Sequence, residues 1–118
     1  MILYIAGQMS GIRHFNYPAF FSAAEKLRAE GYAVVNPPER DAPEVQHAAL
    51  DSERGYWADL PYPAEQLLPE IIQQNVDDVL SSDGLAMLPG WEHSRGARFE
   101  VALAERIGLD IRSLEQWL

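Results

Sequence analysis

A chain of 118 residues with 47% hydrophobic side chains holds one real core and little more, so a single domain over 1–118 is expected. Its formal net charge of −9 argues against a nucleic-acid polymer or an anionic membrane as the main partner. The absence of cysteine excludes disulfides, thiolate chemistry and sulfur-ligated zinc.

Ile2–Ala6 is a short apolar run, consistent with a buried parallel strand. Gly7-Gln8-Met9-Ser10-Gly11 follows as a loop. Asn16 reads as the N-cap of a helix with Pro18 just inside it, with Phe20, Ala24 and Leu27 at helical spacing and Gly31 as its stop. Residues 32–35 form a second strand, halted by Asn36-Pro37-Pro38. Residues 37–66 carry five prolines and the aromatic residues Tyr56, Trp57 and Tyr62. That stretch reads either as a functional lid or as a surface excursion with one short helix near Ala48.

From Pro69, the residues Ile71, Ile72, Val76, Val79 and Leu80 predict an amphipathic helix ending near Ser81-Ser82. Residues 84–88 form the third strand. Residues 97–107 form the next helix, with Phe99, Leu103 and Ile107 as its buried stripe and Gly108 as its stop. A weak fourth strand spans 109–111, and a helical turn spans 113–118. Strands alternating with helices predict an α/β fold, a three-layer sandwich of Rossmann or flavodoxin type on a four- to five-stranded, mainly parallel sheet.

Such sheets bind ligands outside the carboxyl ends of their strands. The loops 7–16 and 89–98 would meet there. The first is neither a dinucleotide fingerprint nor a P-loop. The second leads through Ser94-Arg95-Gly96-Ala97-Arg98-Phe99-Glu100 into a helix, with the carboxylate expected in its first turn. Ser94, Gly96 and free helix N–H groups suit an anion or a sugar, and Arg13, Arg95 and Arg98 lie near enough to add positive charge. Read alone, Glu100 is an acid favoured by the helix dipole, Ser94 an N-cap and Gly96 a turn residue. Aimed into an anion pocket, Glu100 instead makes sense as a group acting on an electron-poor carbon.

Tyr4-Ile5-Ala6-Gly7-Gln8-Met9-Ser10-Gly11, Val35-Asn36-Pro37, Leu88-Pro89-Gly90-Trp91 and Ser94-x-Gly96-x-x-x-Glu100 together resemble the nucleoside 2-deoxyribosyltransferase superfamily. The likeness is to its small phage and bacterial branch, which is similar to 2′-deoxynucleoside 5′-phosphate N-hydrolases. Residues 38–66 carry no part of it. The resemblance implies that Glu100 attacks the anomeric carbon of a 2-deoxyribosyl group, displacing the base. It also implies that Tyr4, Gly7, Gln8, Met9, Ser10, Gly11, Ser94 and Gly96 bind a nucleoside or nucleotide. Tyr4 or the aromatic residues of 56–62 would stack on the base. Counting back from Ser82-Asp83, the resemblance puts the superfamily's base-assisting aspartate at Asn75, which cannot donate a carboxyl proton; either Asp78, three residues on, does its work or general acid catalysis is lost, whereas Asp77 points away.

The resemblance further implies a homodimer or larger homo-oligomer, and no metal or organic cofactor is required. His14, His47 and His93 show no metal-ligand spacing. No apolar run reaches membrane-spanning length and the amino terminus lacks a signal-peptide pattern, so a cytoplasmic location is expected. Two readings compete with an enzyme. One is a nucleotide-binding module on the same fold that does not turn its ligand over, and Asn75 favours it. The other is a protein-interaction domain using the acidic surface with Trp57, Trp91 and Trp117.

Overall fold

The computed structural model describes residues 1–118. Four strands, β1 (Ile2–Ala6), β2 (Ala33–Val35), β3 (Gly84–Met87) and β4 (Asp110–Ser113), form one sheet in the order β2-β1-β3-β4. Every neighbouring pair is parallel. The connections are made by α1 (Tyr17–Ala29), α2 (Pro43–Asp51), α3 (Leu68–Leu80) and α4 (Arg95–Ile107), and α5 (Leu114–Trp117) closes the chain. The expected sandwich is therefore present with four strands, all parallel.

Alternation along β1 divides the core. Leu3 and Ile5 pack with Phe20, Ala23, Ala24 and Leu27 of α1 and with Trp117 of α5. Tyr4 and Ala6 face the other way, against Val79 of α3 and Val101 and Ala104 of α4. Side chains that alternate on a strand must find a helical layer on each face, which makes the sandwich three layers deep. Parallel pairing sets Tyr4 opposite both Val35 and Leu85, at the centre of the sheet.

The buried stripe of α4 differs from the expected one. Ala97, Glu100, Val101 and Ala104 face the sheet, whereas Phe99 and Ile107 are 50% and 42% exposed. Both sets recur at helical spacing, but the alanines let the helix backbone approach the strands and the larger residues do not. On α3, likewise, Asp78 and Val79 are buried while Ile71, Ile72 and Leu80 remain exposed.

Residues 37–67 fold into α2 and short 3-10 turns at Pro37–Arg40, Trp57–Asp59 and Ala64–Leu67. The helix expected near Ala48 is α2. This excursion is tied to the loop after β1: the Gly11 amide donates to the Gly55 carbonyl (2.8 Å) and the His14 amide to the Ser52 carbonyl (2.7 Å). Gly55 has φ +66, and a Cβ there would lie 2.0 Å from the Ile12 carbonyl oxygen, so only glycine fits this contact. Opposite it, His14, Phe15 and Asn16 are all left-handed, a conformation costing on the order of 1 kcal/mol per residue that needs tertiary support. Phe15 supplies that support by packing with Tyr17 and Ala49. Asn16 is consequently not a side-chain cap of α1; its amide turns back to donate to the Gln8 carbonyl at 2.9 Å.

Candidate active site

Helix α4 starts at Arg95, two residues before the expected Ala97, with Ser94 as its N-cap. The Ser94 hydroxyl accepts from the Ala97 amide at 3.1 Å. Glu100 therefore sits in the second turn, too deep for the helix dipole to account for it. Its side chain belongs to the buried stripe and the residue keeps 8% of its surface. No arginine, lysine or histidine forms an ion pair with it; its one polar partner is the hydroxyl of Tyr4, which donates to Oε2.

Burial without a compensating cation disfavours the charged carboxylate. Desolvation pushes the Glu100 pKa up to about 7, against the opposing pull of the Tyr4 hydrogen bond. Tyr4 is itself held well above its ordinary value by burial and then by the adjacent carboxylate. The geometry thus isolates one carboxyl group that changes charge near neutral pH. The ring of Tyr4 is fully enclosed in the core, so it has no open face on which a ligand could stack; it positions Glu100 instead.

Asp78, on the next helix, is also buried. Its Oδ1 accepts from Arg40 and, at 3.2 Å, from Gln74. Asp78 and Arg40 both lie close enough to act electrostatically on Tyr4, so the two carboxyl sites share one neighbourhood. Asn75 lines a polar cavity of about 200 Å³ with Met9, Arg40, Asp41 and Gln74. A second cavity of about 230 Å³ adjoins it, walled by Phe15, Tyr17, Trp57, Leu60 and Tyr62, and the two share Met9, Asp41, Glu70 and Ile71.

The remaining expected residues serve several ends. Gly7 packs against Leu88, whose side chain a Cβ would approach to 2.9 Å. Gln8 donates to the Ser10 carbonyl at 3.1 Å, and Gly11 takes a left-handed φ of +82. Ser10 and Gly96 are exposed, whereas Met9 is half-buried and reaches both cavities. Arg13 pairs with Glu53 at 3.1 Å on the surface and does not contribute to either cavity. Ser94, Gly96 and Glu100 line neither cavity. They are held together by their spacing along the start of α4. No group of three or more histidine, aspartate or glutamate residues is arranged to hold a metal, and no helix is long and apolar enough to cross a membrane.

Arg40, Asp41 and Tyr17 were not legible as site residues. Tyr17 donates to Asp41 across 24 positions of sequence, a pairing no local pattern announces. One signal was available: Arg40-Asp41 lies one residue beyond the proline stop of β2, at the same sheet edge as the other two loops.

Fold and site together define a single-domain parallel α/β protein that carries an uncompensated, buried carboxyl group against the central strand of its sheet. The chain belongs to the DUF4406 family, described as a domain of unknown function, whose profile matches residues 1–113. No curated protein matches the sequence.

The raised pKa of Glu100 couples to stability with a definite sign. Below about pH 4.5 the carboxyl is protonated whether the chain is folded or not. As pH rises towards 7, the unfolded chain ionises first and native stability falls. Glu100→Gln removes that loss and is expected to be about 2–3 kcal/mol more stable than the wild type at pH 8. The difference should shrink to near zero at pH 4, as read by urea unfolding. Equal stability at both pH values would contradict the burial argument.

Proposed function

We propose that the protein cleaves, or transfers at, the N-glycosidic bond of 2′-deoxynucleosides or their 5′-monophosphates, with Glu100 as nucleophile. The observation that carries the reading is Glu100 itself: a carboxyl group inside a helix's buried stripe, with no cation beside it and a tyrosine hydroxyl fixing one oxygen. Structural acids are ordinarily paired or solvated. The likeness of Tyr4–Gly11 and Ser94-x-Gly96-x-x-x-Glu100 to the nucleoside 2-deoxyribosyltransferase superfamily points the same way.

In this reading Tyr4 holds Oε2, and the free oxygen of Glu100 attacks C1′ as the glycosidic bond breaks with its electron pair going to the base. The carboxylate also stabilises the positive charge that develops at the anomeric carbon. The unsatisfied amides at the start of α4, with the Ser94 hydroxyl and the exposed Arg95 and Arg98, suit a 5′-phosphate. A base then discharges the ester or water hydrolyses it. Asn75 offers the departing base an amide hydrogen bond. Asp78 accepts from Arg40 and Gln74 through Oδ1 alone, and its buried Oδ2 has no partner, which keeps it a candidate substitute acid.

Asn75 also supports a second reading, a nucleotide-binding module that has lost efficient turnover. A homodimer is part of the proposal: Leu68, Ile72 and Phe99 expose apolar surface on α3 and α4 that a second copy would cover. Sedimentation as a monomer at micromolar concentration would exclude it.

The test is chromatographic measurement of free base from the four 2′-deoxynucleosides and their 5′-monophosphates, with and without an acceptor base. Release is expected from the wild type, rising with pH through about 7 as Glu100 ionises. It should fall about a thousandfold or more in Glu100→Ala. Binding without release by the folded wild type would favour the binding module instead.

A further inference from the structure

We propose that Asp41 reads the base, selecting nucleobases that present an exocyclic amino group over those presenting a carbonyl at the same position. The inference rests on the proposed nucleoside site and adds a specificity-determining residue to it.

Asp41 is one of the few polar groups on an otherwise apolar, aromatic wall. It lines both adjoining cavities, beside Tyr17, Trp57 and Tyr62 on one side and Arg40, Gln74 and Asn75 on the other. Its main chain is fixed at both ends: the amide donates to the Pro38 carbonyl at 3.2 Å, and the carbonyl accepts from Gln46 Nε2 at 2.8 Å. The carboxyl group is therefore presented by an immobilised backbone. Tyr17 donates to Oδ2, and no protein group bonds Oδ1. A carboxylate that already accepts a phenolic proton on one oxygen remains an acceptor on the other.

An aromatic wall with a fixed acceptor at its edge is complementary to a planar heteroaromatic ring with an N–H donor edge. The electrostatics exclude the phosphate from the same place. Asp41 and Glu70 both line the two cavities, and the one arginine there is engaged by Asp78. Cytosine or adenine would donate its amino hydrogen to Oδ1. Uracil or hypoxanthine would set a carbonyl oxygen against it, leaving two acceptors facing each other. The Tyr62 hydroxyl stands near the same carboxyl, and the Tyr17 hydrogen bond supports its ionised, accepting form against the opposing effect of burial.

The test is calorimetric binding of dCMP against dUMP, and of dAMP against dIMP, to the full chain carrying Glu100→Gln, so that no ligand is consumed. The amino member of each pair is expected to bind about tenfold tighter or more. Adding Asp41→Asn, whose amide can donate to a carbonyl, should abolish or reverse that preference. The comparison within the Glu100→Gln protein needs no change at Asp41, so it decides the matter even if the second variant does not fold. Binding of all four ligands without an amino preference, or a preference unchanged by Asp41→Asn, would overturn this inference and leave the proposed function standing. Binding of none of the four would likewise overturn this inference, while base release across the full nucleoside and nucleotide panel decides the proposed function separately.

Discussion

The hydrogen bond between Tyr4 and Glu100 is the constraint on which the site depends. It joins the central strand of the sheet to the helix that follows β3, and it does so with two polar side chains in an apolar layer. A carboxyl group can be kept there because one hydroxyl satisfies one oxygen, while the lack of a cation leaves the charged form poorly supported. Had an arginine stood beside Glu100, the group would be an ordinary buried ion pair. The helix can bring the carboxyl so close only because its neighbours on the buried stripe are small, Ala97 and Ala104 above all. The same residues that pack α4 therefore set the chemistry of Glu100. Loss of native stability as the group ionises is the corresponding cost, a familiar exchange at reactive sites.

Around that pair the fold separates two environments. The amino end of α4 is polar and well provided with donors, with Ser94 capping and two arginines exposed. The segment between β2 and α3, with Trp57 and Tyr62, meets Phe15 and Tyr17 at the start of α1 to form aromatic walls around the carboxyl groups of Asp41 and Glu70. A ligand with an anionic end and a planar, donor-bearing end would meet its complement at each. This division depends on residues 37–67, which are not a loose flap. They are clamped to the loop after β1 through Gly55, and the left-handed turn at His14–Asn16 survives because the clamp holds it.

The sequence makes the opening β-α-β unit, the third strand and the helix stops plain, because apolar runs, Pro18, Gly31 and Gly108 act locally. Glu100 stands out through its spacing from Ser94 and Gly96. Side-chain orientation on α3 and α4 was harder to read. Ranking residues by size selects Phe99, Leu103 and Ile107, of which only Leu103 packs against the core, whereas the close approach of helix and sheet selects Ala97, Val101 and Ala104. Asn16 misled for a related reason: its residue type suits a cap, yet the tertiary clamp bends the backbone past the conformation a cap requires. The hydrogen bonds of Tyr4 to Glu100 and of Tyr17 to Asp41 join residues far apart in sequence, which no local pattern announces.

The most direct test of Glu100 as nucleophile is the mass of the protein itself during turnover. Samples acid-quenched in the presence of 2′-deoxynucleosides and their 5′-monophosphates would be measured intact and then mapped by peptide. A fraction of molecules is expected to carry one deoxyribosyl ester, phosphorylated where the nucleotide was supplied, on the peptide that contains Glu100, and none in Glu100→Gln. Base release with Glu100 unmodified throughout, or an ester on another carboxyl group, would contradict Glu100 as nucleophile.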